Sequence, residues 1–163
     1  MIVGVGVDVV RIGRMERRLA ERVLTDLEME EFRGNLEYLA GRFALKEAFF
    51  KALGTGLSGY SFKDVSFVRG NKGEPRLVLH RDFEVVFNFA HVSLSHDFVA
   101  VALVVLEKRK GGITVRGEVE GFEIVSRDGD VLEIDSPFGP FKTKEMIEKQ
   151  GAELMRYGNI LIE

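Results

Sequence analysis

The stretch Arg42–Gly56, RFALKEAFFKALGTG, constrains the fold more than any other. At 100° per residue it reads as one helix with two apolar faces. Leu45, Ala48, Phe49, Ala52 and Leu53 make one, and Leu39, Phe43 and Phe50 the other. A helix that is apolar on both sides is normally buried, and Gly54 stands where a left-handed cap ends it. Yet Arg42, Lys46, Glu47 and Lys51 lie between the apolar faces. Buried charge needs a partner, because unpaired burial costs too much. The helix therefore either carries an internal network of ion pairs or lines a site for something charged.

The rest of the chain bounds what that site can be. With 163 residues, 45% of them hydrophobic, the chain has room for one domain and an appendix. It has no cysteine, so disulfides, thiolate metal sites and a cysteine nucleophile are excluded. No apolar run is long enough to cross a membrane and no signal-peptide pattern follows Met1, so a cytoplasmic protein with no membrane role is expected. The net charge of −3 divides unevenly: residues 1–110 sum to +2 and residues 111–163 to −5. With the Gly111-Gly112 pair as a linker, two units are expected, 1–110 and a compositionally distinct extension, 111–163.

Ile2–Val10 reads as a β-branched, glycine-spaced strand packed closely on both sides, delivering Asp8 near its end. Arg11–Val23 reads as an amphipathic helix. Ile12, Met15, Leu19 and Val23 form its inner stripe, and Arg11, Arg14, Arg18 and Arg22 a basic ridge at the same spacing. Such a ridge is either a solvated face or a docking strip for an acidic partner. Nucleic acid is not expected, since the first 110 residues are barely basic. Thr25-Asp-Leu-Glu28 is a capping box opening a short helix, Asp26–Arg33, broken by Gly34 and Asn35. Gly54–Gly59 matches G-x-G-x-x-G, but a helix precedes it where a dinucleotide fold needs a strand.

Asp64–Arg69 and Pro75–His80 are expected strands of a hairpin, and Arg81–Ala90 is ambiguous between helix and strand. His91–His96 alternates, putting His91, Ser93 and Ser95 on one face, either the lining of a polar cleft or a solvent-facing edge. Phe98–Leu106 is an apolar strand. In the extension, Ile113–Val119, Phe122–Ser126, Val131–Asp135 and Asn159–Glu163 read as strands, and Lys142–Arg156 as a helix.

Two carboxylates stand out, Asp8 at a strand end and Glu47 on the buried helix. Without cysteine and with three histidines, a metal site built on them prefers a hard cation. Mg²⁺ takes one or two protein carboxylates and completes its shell with waters and phosphate oxygens. Lys51, four residues after Glu47, points to nearly the same side, and Arg42 and Lys46 suit phosphates as well. The residues alone suggest Mg²⁺ and a phosphate ester, without naming a reaction.

Four stretches occur together in order: GVDVVRIGR (Gly6–Arg14), GRFALKEAFFKALGTG (Gly41–Gly56), the hairpin with Asn71, Gly73 and Pro75, and HVSLSH (His91–His96). Together they resemble the holo-[acyl-carrier-protein] synthases, which are 4′-phosphopantetheinyl transferases, over residues 1–107. The resemblance implies an α+β fold of antiparallel strands around a long central helix, and a homotrimer with sites between subunits. It also implies a reaction: the phosphopantetheine arm of coenzyme A moves to a serine of apo-acyl carrier protein, and adenosine 3′,5′-bisphosphate leaves. By match, Asp8 and Glu47 would hold Mg²⁺ and Lys51 would neutralise the pyrophosphate. Arg42, Lys46 and His91 would contact coenzyme A phosphates, with Ser93 beside His91, and Gly54, Gly56 and Pro75 would lie along the nucleotide. Arg14 matches a carrier-docking arginine, which Arg11, Arg18 and Arg22 would extend. The extension has no counterpart in the compact members of the family. Two rivals share the same residues: a Mg²⁺-dependent hydrolase of coenzyme A or a nucleotide pyrophosphate, and a non-catalytic carrier-binding module.

Overall fold

The computed structural model describes residues 1–83 and 87–108 and, beyond them, strand residues 113–114, 123–128, 131–135, 141–144, 155–157 and 160–162. Strand β1 (Ile2–Arg11) leads through two 3₁₀ turns, Ile12–Arg14 and Arg17–Leu19, into helices α1 (Ala20–Val23), α2 (Asp26–Phe32) and α3 (Leu36–Leu53). Strands β2 (Val65–Arg69), β3 (Pro75–Leu79), β4 (Phe89–His96) and β5 (Val99–Glu107) follow. The extension contributes β6 (Ile113–Thr114), β7 (Glu123–Asp128), β8 (Val131–Asp135), β9 (Phe141–Lys144), β10 (Met155–Tyr157) and β11 (Ile160–Ile162). The architecture is α+β, as expected.

Helix α3 is the axis of the molecule. The Asn35 side chain accepts from the amides of Glu37 and Tyr38 at its start, and Gly54 closes it at φ 78°. Thirteen of its 18 residues are buried, which is why its apolar residues wrap two sides. One side meets the antiparallel sheet β1-β5-β4. The contact is close because β1 presents glycine to the helix: a Cβ at Gly4 or Gly6 would lie 1.9 Å from the carbonyl oxygen of Ala52 or Ala48. The other side meets an aromatic cluster in which Phe49 packs edge-on against Phe67, Phe83 and Phe87. A second apolar cluster, including Ala20, Val23, Leu24, Phe32 and Leu39, lies beneath the segment joining β1 to α3.

The capping box is present, Thr25 and Glu28 satisfying each other's backbone amides. The β2–β3 hairpin turns where expected, with Gly73 at φ 82°. The described part of Arg81–Ala90 is irregular up to β4, and Phe83 and Phe87 anchor it to the core.

Three expectations need correction. Arg11–Val23 is not one helix. The β1–β5 ladder runs on past its expected end, with Arg11 opposite Val99 and the Ile12 amide donating to the Phe98 carbonyl. Met15 and Glu16 then stay extended, so only Ala20–Val23 is α-helical. Second, β1 is packed on one face only; Val5, Val7 and Val9 stay 56–63% exposed on the other. Third, both ends of the helix expected over Lys142–Arg156 are strands, β9 and β10; residues 145–154 lie outside the described residues.

The strand over Phe122–Ser126 is β7, and β7 pairs with β8 and β8 with β9. Beyond Thr114 the first expected strand of the extension, with the Gly111-Gly112 linker before it, lies outside the described residues. The closing strand appears as β11, which runs parallel to β3, with Leu161 opposite Val78.

Candidate active site

The close packing of β1 on α3 brings three of the expected residues together. Asp8 lies on the helix-facing side of β1, in register with buried Ala102 of β5. Lys51 donates to Asp8 Oδ1 at 2.8 Å and to the Val7 carbonyl at 3.1 Å. Its side chain nevertheless stays about half exposed, within reach of a ligand. Glu47, one turn earlier on the helix, makes no hydrogen bond or ion pair among the described residues. Burial and then the Asp8 charge raise its pKa, with Lys51 opposing. A carboxylate that holds its charge poorly beside a second carboxylate has a standing affinity for a cation. Among the described residues no group of three or more metal-binding side chains occurs. Two carboxylates with open coordination positions are nevertheless what Mg²⁺ takes when phosphate oxygens and water complete its shell, so the donor set fits. Beyond Lys51, Gly54 and Gly56 adopt left-handed conformations with open space where a side chain would project.

Lys46 is elsewhere. Its ammonium is fully buried and all three of its protons are engaged: by Glu28 Oε2 at 2.6 Å, the Val23 carbonyl at 2.6 Å and the Phe62 carbonyl at 2.7 Å. Burial pushes its pKa down to about 8 against the pull of Glu28. An ammonium so enclosed has no donor left for a ligand phosphate, so the expected contact of Lys46 with coenzyme A does not hold.

Arg42 sits on the opposite side of α3 from Lys51: nine residues give a rotation of 180° and a rise of about 13.5 Å. Only 4% exposed, it stacks over the Tyr38 ring at 4.1 Å and pairs with Glu31 at 3.4 Å. Its Nε is buried with no hydrogen-bond partner among the described residues. It lines a cavity of about 380 Å³ together with Tyr38, Arg69, Pro75, Leu94 and His96. The Arg42 Nε and the Arg69 guanidinium offer donors to an anion there, with the Glu37 carboxylate on the same lining opposing it. Tyr38, Arg69 and His96 were not singled out in the sequence. Tyr38 and Arg69 are single polar residues in unremarkable contexts, and His96, although it closes the HVSLSH stretch, carried no role there; the fold unites them by laying the hairpin and β4 against the start of α3.

His91 and Ser93 stand on β4, at the far edge of the sheet from β1. They point away from α3, on the same face as Val5 and Val7, and are exposed, so in this chain they form a solvent-facing edge. His91 Nε2 lies 2.7 Å from Glu107. Arg11, Arg14, Arg18 and Arg22 are all exposed, but they stand on a strand end, two turns and a short helix instead of one ridge.

A family model described as the 4′-phosphopantetheinyl transferase superfamily matches residues 4–104. The chain is 53% identical, over 99% of both sequences, to a holo-[acyl-carrier-protein] synthase of Thermotoga maritima. The crystal structure of a Thermotoga maritima holo-[acyl-carrier-protein] synthase superposes over the full length of both chains with a TM-score of 0.75 at 48% identity. The extension thus has a counterpart there. The Oceanobacillus iheyensis synthase, 42% identical, matches 68% of this chain with all of its own. A Bacillus anthracis synthase crystallised in complex with coenzyme A (3′,5′-ADP) covers 67%, with a TM-score of 0.59 and 39% identity. The residues that pack β1 against α3 and place Asp8, Glu47 and Lys51 together fall inside the matched span, and the chain belongs to the holo-[acyl-carrier-protein] synthases of the 4′-phosphopantetheinyl transferase superfamily.

Proposed function

We propose that the protein transfers the 4′-phosphopantetheine arm of coenzyme A to a serine of apo-acyl carrier protein, with Mg²⁺ bound by Asp8 and Glu47. The observation that carries this reading is the half-exposed lysine held by Asp8 one helical turn from Glu47, a carboxylate with no hydrogen bond or ion pair among the described residues. When bound, Mg²⁺ would polarise the pyrophosphate and draw charge from it. The serine oxygen forms the new bond at the β-phosphorus, and the bond to the bridging oxygen breaks. Adenosine 3′,5′-bisphosphate then leaves with the electron pair. Lys51 stabilises the charge that grows on the leaving side. The serine proton passes to Glu47 or to water.

The same reading gives Arg42 and Pro75 the nucleotide end of coenzyme A, while His91 and Ser93, on the opposite face of β4, would meet coenzyme A held by a neighbouring copy. In one protomer α3 stands between that cavity and Lys51, so the two halves of the site are contributed by neighbouring copies. The exposed apolar face formed by Val5, Val7, Val9, Val101 and Leu103 supplies the contact for a homotrimer. The four arginines recruit the acidic carrier, and residues 111–163 form an added unit that edges the hairpin through β11.

The intact mass of apo-acyl carrier protein incubated with enzyme, coenzyme A and Mg²⁺ tests the reaction. A gain of one phosphopantetheine, abolished by EDTA, is expected. Coenzyme A cleaved without carrier modification overturns it in favour of a hydrolase, and tight carrier binding without chemistry favours a binding module. Val7→Glu tests the assembly: sedimentation is expected to show loss of the trimer together with loss of turnover.

A further inference from the structure

The buried Lys46 has no role in the site just described, yet burying a lysine and a glutamate is expensive. A pair of apolar side chains of the same volume folds as well or better. What the charged pair does that an apolar pair cannot is bond in fixed directions. The Lys46 ammonium ties α3 to the Val23 carbonyl, which ends α1, and to the Phe62 carbonyl after the glycine loop. The Glu28 carboxylate accepts from the Thr25 amide at 2.9 Å and from the Phe67 amide at 2.7 Å, reaching α2 and β2. Lys63 donates to the next carbonyl, Leu24. The segment held in this way is the one that carries Arg11, Arg14, Arg18 and Arg22. It has little regular structure of its own, since its longest helix is the four residues of α1. Its position relative to the catalytic helix is therefore set from outside, and Lys46 is the immediate neighbour in sequence of Glu47.

We propose that the Lys46–Glu28 pair is a positioning element, holding the arginine segment at a fixed distance and angle from Asp8, Glu47 and Lys51, so that a docked carrier presents its serine in line with the reaction centre. The inference rests on the docking reading of the arginines. Its loss acts on the carrier and not on coenzyme A, since Lys46 and Glu28 are fully buried and Lys46 has no donor left for a ligand.

The test is steady-state kinetics of the full-length Lys46→Met/Glu28→Met variant, varying carrier and coenzyme A separately, beside Lys63→Met and Arg14→Glu. The paired replacement leaves no buried charge but strips the Val23 and Phe62 carbonyls and the Thr25 and Phe67 amides of their side-chain partners, so its folding is read first, from its thermal melting curve. The KM for carrier is expected to rise, by up to about a hundredfold as a displacement of an ångström can cost, with the KM for coenzyme A unchanged. Lys63→Met, which frees Leu24 but spares the buried pair, is expected to raise the carrier KM alone and less; it carries the test if the double variant fails to fold. Wild-type carrier KM in these variants, with a raised value in Arg14→Glu, overturns the positioning role and leaves docking standing. Both KM values rising in proportion to lost stability overturns it as well. No effect of Arg14→Glu overturns the docking reading and the inference with it.

Discussion

Lys46 and Glu47 are adjacent in sequence, and the structure treats them oppositely. Lys46 points into a dry junction where every donor meets an acceptor and a carboxylate of opposite charge. Glu47 points to the β1 side, where the like charge of Asp8 acts on it more strongly than Lys51, which is already engaged by Asp8. The first cluster is satisfied by the protein alone. The second is under-neutralised, and an under-neutralised pair of carboxylates beside an accessible lysine is an arrangement that a ligand completes. The difference teaches that charge on a buried helix is informative only once its partners are known: complete pairing marks architecture, incomplete pairing marks chemistry.

The comparison predicts opposite responses to neutralisation. Lys46→Ala leaves the enclosed Glu28 carboxyl without its counter-charge, and is expected to destabilise the fold by about 3–5 kcal/mol, read as a shift in the urea midpoint. A shift below about 1 kcal/mol would mean that the junction admits water and that the two clusters are not different in kind.

Gly6→Ala attacks the other cluster from beneath. Its Cβ would meet the Ala48 carbonyl, which is backbone and cannot swing aside. β1 must therefore move off α3, at a cost of about 1–3 kcal/mol, and Asp8 moves away from Glu47 and Lys51. Turnover is expected to fall more than stability explains, measured at a temperature where the variant is fully folded. Unchanged turnover would show that the Asp8–Lys51 contact is not needed for activity.

The central helix, its glycine stop, the capping box and the β2–β3 hairpin were legible in the sequence because each is decided locally, by spacing and by cap or turn residues. The grouping of Asp8, Glu47 and Lys51 was legible because one helical turn and one short strand define it, and the matched stretches resemble a known family. Lys46 was misread because residue type names a charge but not the side of a helix that other elements will cover. Its partners lie 18 residues upstream, at Glu28, and 16 downstream, at Phe62. The Arg11–Val23 stretch has flawless helical spacing and still is not a helix, because the ladder to β5 claims its first residues. Of the cavity around Arg42 only Arg42 and Pro75 were legible, through the resemblance; Tyr38 and Arg69 join them only once the hairpin lies against α3.

The smallest effect separates the clusters most cleanly. Glu47 has a pKa raised in the folded protein, so the folded state holds its proton more tightly than the unfolded chain does. Below the unfolded value, about 4.5, this group makes no difference between the states. As pH rises through the window up to the raised value, its ionisation destabilises the fold, and the cost stays constant above it. Glu47→Gln removes that cost. Without divalent cations, the variant is expected to be slightly more stable than the wild type at neutral pH, the margin small because the group is partly solvated. The advantage is expected to vanish near pH 4 and to vanish again when Mg²⁺ neutralises the wild-type pair. Parallel melting curves at pH 4 and pH 7, with EDTA and with Mg²⁺, decide it. A variant less stable than wild type under every condition would mean that Glu47, like Glu28, is held by the fold. The opposition between the two neighbours on α3 would then disappear.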